Sequence, residues 1–471
     1  MNAVKRLLFS SRRHLALAAL CCAGPLAAQT LAVQLVDTAG SAGLMNERGD
    51  VVGSRVSYPC QVPGTCIPET TATVWTAAGR LTLPAPAGLK PSVAAIAADG
   101  TLVGNVTDGF VTFRAAVWQL VGGAYVLTEP GLMGLQQSYA TGIDSSGRVV
   151  GYATTPFVST RPFVWTAAGG LVDLASAGAP AERAFSVSPG GLVLTDRFSF
   201  HLDNPAVATL LPAPPVGGQS FFSPTGNNFL VNDHGDLGGF LINVSRAAYY
   251  LHRWQPTTAT WQLLDPLGIV QGSGLGVGVG RITDNSTIGA TVGKAVLAAG
   301  PDGLAQPVAD RLSPAYPANA LTSVGYFTDA GVFVSNLVLG GVARAVKLVP
   351  ITPCVGACLR VQSITMTGTV VPRSRRNNCG QPQCTLVTAT IKVTDVNGNP
   401  QAKVQVGARF MNSYTLDSAV TGRTTSAGTV VLQQLGYVGS GTVSLLVESA
   451  ARTGWVFDKG VGTLTATVIP Q

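Results

Sequence analysis

The chain has 471 residues, of which 46% are hydrophobic and only 11% are charged, with 30 basic and 23 acidic side chains. So low a density of charge does not resemble a nucleic-acid-binding surface, and we exclude nucleic acid as a partner. After the N-terminal segment, no stretch reaches the ~18–20 uninterrupted apolar residues of a membrane span, so we expect no transmembrane segment in the mature chain.

Residues 1–28 have the pattern of a signal peptide. Lys5, Arg6, Arg12 and Arg13 precede an apolar run that begins at Leu15, and small residues follow at 27–28. Because the segment contains no acid, the net charge of +7 falls to +3 without it. The adjacent arginines also fit a twin-arginine signal, so the export route stays open. We expect an exported protein, either periplasmic or extracellular.

The six cysteines outside that segment form close pairs, namely Cys60/Cys66, Cys354/Cys358 and Cys379/Cys384. An even number in an oxidising compartment predicts disulfides. The distance of Cys60 and Cys66 from the others in sequence favours their mutual bridge, whereas the pairing among the other four stays open. Their spacing could also suit zinc, but the lack of a supporting His or Asp cluster and the predicted export argue against it.

A turn-and-strand phrase recurs seven times, at intervals of roughly 47 residues. It begins at Met45, Ile96, Ile143, Val187, Val231, Ile282 and Phe327. Each copy places a turn rich in Asp, Asn and Gly between two apolar runs. A fixed period of this size indicates a repeat architecture.

The third repeat shows the unit most clearly, with predicted strands over 139–143, 148–153, 161–165 and 170–174. Four short strands in one repeat are the content of a propeller blade. In the first turn of the unit, Asp144 can accept backbone hydrogen bonds, and Gly147 can adopt a positive φ. The pattern therefore predicts an all-β fold.

We predict a β-propeller of about seven blades over residues 29–352, although the period alone also allows six or eight blades or an open β-solenoid. Trp75, Trp118 and Trp165 recur in the third strand of their repeats and are expected to pack between blades. Residues 31–35 are expected to complete the blade that ends at 347–349, which would close the ring and remove exposed strand edges.

The phrase IDSSGRVVGY from Ile143, followed by RPFVW from Arg161 and GLVDL from Gly170, resembles the HAF-type extracellular repeat of bacteria. The resemblance covers most of residues 40–350 and is specific in repeats one, two, three and five. It implies a repeat architecture and an extracellular location. It implies no catalytic residue.

Residues 353–471 are predicted to form a second domain. Residues 389–395 alternate as a half-buried strand does, and the turn 395–400 leads to another strand at 404–408. The V-x-D-x-x-G-x-P phrase here and the G-x-T-x-x-x-G-x-V phrase from Gly422 resemble bacterial immunoglobulin-like domains. The resemblance implies a β-sandwich and specifies no ligand.

No catalytic, cofactor-binding or metal-binding residue can be assigned, and no cofactor is expected. The chain contains no GxSxG, HExxH, Walker or Rossmann phrase, and the glycine-rich run 272–278 lacks the context of a phosphate-binding loop. His201, His234 and His252 share no metal-ligand spacing. Eight acids fall within the repeated turn, where a structural role already accounts for them: Glu47, Asp50, Asp99, Asp144, Asp233, Asp236, Asp284 and Asp329.

These observations favour an exported, non-catalytic and monomeric binding or scaffold protein. Its expected partner is an envelope polysaccharide or a surface protein, contacted through the longer blade loops. Arg373, Arg375 and Arg376 are either a solvated hairpin tip or a contact for an anionic polysaccharide or lipid head group. The alternatives are a carbohydrate- or peptidoglycan-active enzyme with a site at the propeller centre, and a structural surface-layer component. Acids clustered around the axis would favour the enzyme.

Overall fold

The computed structural model describes residues 31–57, 69–213, 219–220, 229–243, 248–264, 277–292, 295–300, 305–312, 321–339, 342–351, 354–372, 383–412, 417–436, 442–459 and 461–470. Strands account for nearly all regular structure in this part of the chain, and its one helical element is the 3-10 turn Val308–Arg311. The predicted signal peptide, the Cys60–Cys66 loop, the arginine cluster at 373–376 and Cys379 lie outside the described residues.

The described residues between 31 and 350 form twenty-nine strands. The first is β1 (Leu31–Asp37). Blades 1 to 3 consist of β2 (Gly40–Met45), β3 (Val51–Ser57), β4 (Glu69–Thr76), β5 (Gly79–Thr82), β6 (Lys90–Ile96), β7 (Leu102–Thr107), β8 (Phe113–Val121), β9 (Ala124–Thr128), β10 (Gln137–Ile143), β11 (Val149–Thr155), β12 (Ser159–Thr166) and β13 (Gly170–Asp173). Blades 4 to 7 consist of β14 (Ser186–Val187), β15 (Leu192–Leu194), β16 (Phe198–His201), β17 (Asn204–Leu210), β18 (Gln219–Ser220), β19 (Phe229–Val231), β20 (Leu237–Asn243), β21 (Ala248–Gln255), β22 (Thr260–Leu263), β23 (Val277–Ile282), β24 (Ile288–Val292), β25 (Ala295–Ala299), β26 (Gln306–Pro307), β27 (Leu321–Phe327), β28 (Phe333–Leu339) and β29 (Val342–Pro350).

These strands form seven antiparallel sheets, and the seventh is completed by the start of the chain. In blades 1 to 4 and in blade 6, four consecutive strands pair in order; in blade 5, β18 and β19 both pair with β20. Blade 7 has the order β27-β28-β29-β1, with Val33 opposite Leu348. The first strands of successive blades contact one another around the ring, and β2 contacts β27. The ring is therefore closed.

Six hydrophobic clusters of described residues lie between neighbouring blades, and a seventh extends from blades 6 and 7 into the core of the C-terminal strands. Trp118 is fully buried between blades 1 and 2, and its indole N–H donates to the Pro84 carbonyl at 2.8 Å. Trp165 packs between blades 2 and 3, and Trp75 packs between blades 7 and 1. The three repeated tryptophans therefore occupy inter-blade positions, as the sequence predicts.

The turn between the first and second strands has the same hydrogen bonds in all seven blades. We number the five residues of this turn 1 to 5, so that residues 46–50 are positions 1 to 5 of blade 1. The N–H of position 1 donates to the carbonyl of position 5, and the N–H of position 4 donates to the carbonyl of position 1. Position 4 has positive φ throughout; it is glycine in six blades and Ser286 in blade 6. Except at Ala97 in blade 2, the side chain at position 1 accepts the N–H of position 5. The repeated residue types of this turn are therefore explained by a side chain that accepts a backbone N–H and by a residue in the left-handed backbone conformation.

The glycine that closes the repeated phrase allows close approach of two strands. A Cβ on Gly151 would lie 2.0 Å from the carbonyl oxygen of Tyr139 and 2.6 Å from the ring of Phe163. The register of β10 against β11 shifts between Ala140 and Gly142, directly opposite this glycine. Gly53 and Gly104 face the same irregularity in blades 1 and 2. The bulged first strand therefore requires a residue without a side chain.

The remaining strands form a sandwich of two four-stranded sheets, β34-β31-β30-β36 and β33-β32-β35-β37. Their bounds are β30 (Cys358–Pro372), β31 (Gln383–Thr394), β32 (Gln405–Met411), β33 (Asp417–Arg423), β34 (Thr429–Gly436), β35 (Val443–Ala451), β36 (Val456–Phe457) and β37 (Thr465–Val468). Ala389, Ile391 and Val393 are completely buried along β31, which confirms the alternation expected from the sequence.

A buried arginine contacts both parts of the fold where propeller and sandwich meet. Arg344 on β29 is 3% exposed, and its guanidinium donates to the Thr38 carbonyl and, at 3.0 Å, to the Asn412 carbonyl. The hydroxyl of Thr38 in turn donates to Asp417 of the sandwich. Burial lowers the pKa of Arg344, although Asp417 opposes that shift.

Cys354 and Cys358 form a disulfide between the propeller and the sandwich, so their sulfur atoms are bonded to each other and not to zinc.

The all-β prediction of a propeller followed by an immunoglobulin-like sandwich is confirmed. Seven sheets lie in the described part of residues 31–350, and two pack as the sandwich. Within the described ranges, no helix is sufficiently long and apolar to span a bilayer.

The close approach at Gly151 leads to a stability prediction. Gly151→Ala should lower the thermal unfolding midpoint, at a cost of about 2–3 kcal/mol, because the new methyl group would overlap backbone that cannot move independently of β10. Gly300→Ala is the matched control, since a Cβ there meets no atom within 4 Å. Equal midpoints for both variants would contradict this explanation of the closing glycine.

Candidate functional site at the propeller mouth

The seven turns lie together at one end of the ring. Position 1 is buried in six turns and half-buried at Ala97, whereas position 2 is exposed in all seven. We call the surface formed by the position 2 residues the turn face. Its members are Glu47, Ala98, Ser145, Pro189, Asp233, Asp284 and Asp329.

Hydrogen bonds between neighbouring turns hold this face together. Asn46 donates from its side chain to the Ala97 carbonyl at 3.1 Å, which joins blades 1 and 2. Asn232 makes the equivalent bond, 3.0 Å long, to the Thr283 carbonyl between blades 5 and 6. The N–H of Ser145 donates to the Pro189 carbonyl at 2.9 Å between blades 3 and 4. These direct hydrogen bonds therefore join three pairs of neighbouring turns along the rim of the propeller.

The turn face carries acids on one side only. Asp233, Asp284, Asp329 and Glu47 occupy blades 5, 6, 7 and 1, which are consecutive around the closed ring. The other three positions hold alanine, serine and proline. We call these four carboxylates the acidic arc. The negative charge of the turn face is therefore concentrated on one side of the propeller mouth, and no single repeat reveals this.

Arg281, at the end of β23, neutralises part of the acidic arc. Its guanidinium pairs with Glu47, lies 3.1 Å from the Asp329 carboxylate and donates to the Phe327 carbonyl at 2.9 Å. The side chain is only 14% exposed and lies over the Tyr326 ring. Burial opposes its charge, but Tyr326, Asp329 and Glu47 together raise the pKa of Arg281. This cation therefore connects blade 6 to blades 7 and 1.

Glu47 also completes the seam between the last and first repeats. Its carboxylate accepts the N–H of Asp329 at 3.2 Å. Deeper in the same seam, the Asn336 side chain accepts the Ala42 N–H at 2.7 Å and donates to the Ala42 carbonyl at 3.1 Å. Lys347 donates to the Gly49 carbonyl at 2.6 Å. Polar side chains of blades 6 and 7 thus secure blade 1.

Asp329 is the member of the acidic arc with a shifted acidity. Partial loss of hydration is the largest cause and raises the pKa of Asp329. The positive charge of Arg281 opposes this shift, and the negative charge of Glu47 adds to it. The side chain remains 63% exposed. Asp329 is therefore a carboxyl group that combines solvent access with a raised affinity for a proton.

The other acids of the repeated turn have structural partners. Asp50 accepts from Arg48 at 2.7 Å and from Asn46 at 3.0 Å. Asp144, whose side chain is fully buried, accepts from Arg148 at 2.6 Å. Asp236 accepts from Asn232 at 3.0 Å and from Ser286. These acids support the turn explanation that the sequence suggests.

The three histidines lie apart, as their spacing implies. His201 is exposed near Asp203, and His234 contacts the Asp284 carbonyl at 3.0 Å. His252 is buried on β21 against Trp261, and burial lowers its pKa. In the part of the chain that the structure describes, no group of three or more His, Cys, Asp or Glu side chains is arranged to hold a metal ion.

The sequence interpretation missed the acidic arc because it assigned all eight turn acids to one structural role. The distinguishing signal was the position within the turn: acids at positions 1 and 5 are buried, whereas those at position 2 are exposed. Aligning the seven turns by position would have separated Glu47 and Asp329 from Asp50 and Asp144.

Comparison with known proteins adds no identity to this geometry. No protein-family description matches the chain, and no curated protein matches it. Among solved structures, it is similar to a fungal alcohol oxidase in complex with copper, with 12% identity, a TM-score of 0.37 and coverage of 94% of this chain and 99% of that one. It is also similar to an exo-β-1,3-galactanase from Phanerochaete chrysosporium, with 9% identity, a TM-score of 0.28 and coverage of 89% and 98%. Likenesses this remote carry no functional argument.

The seam contacts of Arg281 predict a stability effect. Arg281→Met should destabilise the propeller by about 1–3 kcal/mol, a range reduced for the exposure of its acidic partners, because it leaves Glu47 and the Phe327 carbonyl without their shared donor. Arg48→Met is the matched control, since its ion pair with Asp50 stays within one turn. If both variants unfold at the same temperature, Arg281 does not secure the seam.

The raised pKa of Asp329 predicts a pH dependence. An acid whose pKa is higher in the folded state than its unfolded value, near 3.8, contributes stability that is present below that value and lost as the pH rises through the folded pKa. Asp329→Asn should remove this loss, so the stability of the variant relative to the wild type should increase as the pH rises from below 3.8. Urea unfolding at a series of pH values measures the difference. A constant difference would show that Asp329 does not titrate with a raised pKa.

Proposed function

We propose that this chain is an exported, non-catalytic binding or scaffold protein of the bacterial cell envelope or extracellular space. One observation supports this choice over an enzyme: all eight carboxylates of the repeated turns have an internal hydrogen-bond or ion-pair partner. Glu47 binds Arg281 and the N–H of Asp329, while Asp144 and Asp236 are buried within their turns. A glycosidase needs two acids free to face the substrate. The arrangement favours a rigid display surface.

The exported location is part of the same proposal. A disulfide between Cys354 and Cys358 suits an oxidising compartment, and the predicted signal peptide accounts for delivery there. The resemblance to HAF-type repeats supports an extracellular role. The partner is then an envelope polysaccharide or a surface protein.

A rigid rim fits such a role physically. Binding costs less entropy when the contacting groups are already ordered, and here the turns are fixed by bonds within and between blades. The exposed position 2 side chains would meet a ligand without a large rearrangement of the backbone. The one-sided charge would orient that ligand on the face.

A second candidate is an enzyme acting on carbohydrate or peptidoglycan at the propeller centre. The specific observation in its favour is Asp329, a solvent-accessible acid with a raised pKa beside Glu47. A raised pKa suits a general acid, and a neighbouring carboxylate is the usual companion. The shared salt bridge to Arg281 makes this the weaker candidate.

The two candidates are separated by one experiment. The purified mature chain is applied to an array of glycans and envelope polymers, and released sugar is assayed in the same wells. We expect saturable retention without product. Product formation that Asp329→Asn abolishes would overturn the binding proposal in favour of the enzyme. Product that survives in that variant would overturn it equally and place the catalytic acid elsewhere.

A further inference from the structure

The sandwich contains an open groove of about 720 Å³ at one end of its sheet β33-β32-β35-β37. Three cationic side chains line it, Lys403, Arg423 and Arg452, and no acidic side chain does. The remaining lining residues are Gln405, Ala450, Ala451, Thr453 and Trp455. The groove is therefore positively charged in a chain with very few charges.

The topology explains why these cations meet. Gln405 on the central strand β32 lies opposite Arg423 of β33 on one side and Ala451 of β35 on the other. Lys403 lies two residues before β32, and Arg452 immediately follows β35. Three separate segments of the chain thus each bring one cation to the same end of the sheet.

None of the three cations forms an ion pair with an acid in the described part of the chain. The contrast with Arg409, further along β32, is direct, because that guanidinium lies 2.9 Å from Glu448 and 3.0 Å from Asp417. One end of the sheet therefore neutralises its cation internally, and the other end leaves three charges for an external anion.

Arg452 is held in place. Its guanidinium donates to the Gln401 side chain at 2.6 Å and lies 5.0 Å from the centre of the Trp455 ring. Gln401 is itself buried and donates to Asp395 at 3.3 Å. A stacked arginine with one donor already engaged presents its other donors in a fixed direction. This lowers the entropic cost of binding an anion.

Lys403 is held by an unusual backbone conformation. Its φ is 61°, in the left-handed region that side chains other than glycine rarely adopt. The conformation is maintained by the Lys403 N–H, which donates to the Thr424 carbonyl at 3.0 Å, and by the buried Thr424 hydroxyl, which accepts the Val404 N–H at 2.9 Å. A strained residue fixed in this way is a common feature of ligand sites.

From this groove we propose that the sandwich binds an acidic polysaccharide through its carboxylate or sulfate groups; the proposal rests on the binding function given above and adds a binding site to the turn face. The volume exceeds that of a single inorganic anion, and an open groove admits a continuous chain. The three cations favour an anionic polymer, and the Trp455 ring lies against the Arg452 guanidinium. The amide of Gln405 and the hydroxyl of Thr453 suit sugar hydroxyls.

The test compares the full mature chain with two charge-matched triple variants. The groove variant is Lys403→Gln, Arg423→Gln and Arg452→Gln. The control variant removes three other cations of the propeller, Lys90→Gln, Arg114→Gln and Arg161→Gln. All six positions are exposed, so both variants are expected to fold, and their unfolding temperatures check this.

The probes are a polyuronate, dextran sulfate, neutral dextran and inorganic sulfate. We expect the wild type and the control variant to bind at least one of the two acidic polymers, with affinity that falls as salt is added. The groove variant should bind that polymer at least ten-fold more weakly, and neutral dextran should not bind. A preference for the polyuronate or for dextran sulfate identifies carboxylate or sulfate as the recognised group.

Three results would overturn the groove proposal while leaving the binding function intact. They are equal binding by the wild type and the groove variant, an equal loss in both triple variants, and binding of the wild type to a neutral glycan or protein but to neither acidic polymer. Release of sugar, or no retention of any glycan, envelope polymer or protein, would instead overturn the binding function itself.

Discussion

Closure of the ring is the constraint on which the rest of this structure depends. Each repeat is a small sheet with two apolar faces, and it can bury both only between two neighbours. The first and last repeats obtain their second neighbour from each other. Here β1 pairs with β29, Trp75 packs against blade 7, and Glu47 meets Arg281 and Asp329. Hydrophobic burial supplies the driving force, while the polar contacts fix which surfaces meet.

The same closure brings distant parts of the chain together at the mouth. Glu47 and Asp329 belong to opposite ends of the repeat array, yet one accepts a hydrogen bond from the backbone of the other. The acidic arc crosses this seam, and so its continuity exists only in the closed ring. A residue that secures the architecture and a residue that faces solvent can therefore be neighbours in the same turn, as Asp50 and Glu47 are.

The two parts of the fold offer surfaces of opposite charge. The propeller mouth presents carboxylates that are partly neutralised by Arg281, whereas the sandwich groove gathers three cations that form no ion pair among the described residues. Arg344 links the two parts through the backbone carbonyls of Thr38 and Asn412. This difference in charge is the basis for proposing a separate binding role for the sandwich.

The repeated turn, the alternating strands and the inter-blade tryptophans could be predicted from the sequence because they depend on contacts within one repeat or on periods that recur. The sequence shows the closing glycines as a pattern but does not show the reason for them. That reason is a bulge that would bring a Cβ on Gly151 within 2.0 Å of the Tyr139 carbonyl oxygen. Aligning the turns by position would have revealed the acids of the acidic arc, but not that Glu47 lies beside Asp329 across the seam. The cationic groove could not be predicted, because its three cations come from segments that are far apart in sequence. Local hydrogen bonding and hydrophobic period determine the unit, and they act over a few residues. Which charges become neighbours is decided only by ring closure and strand order, which join segments that the chain itself keeps apart.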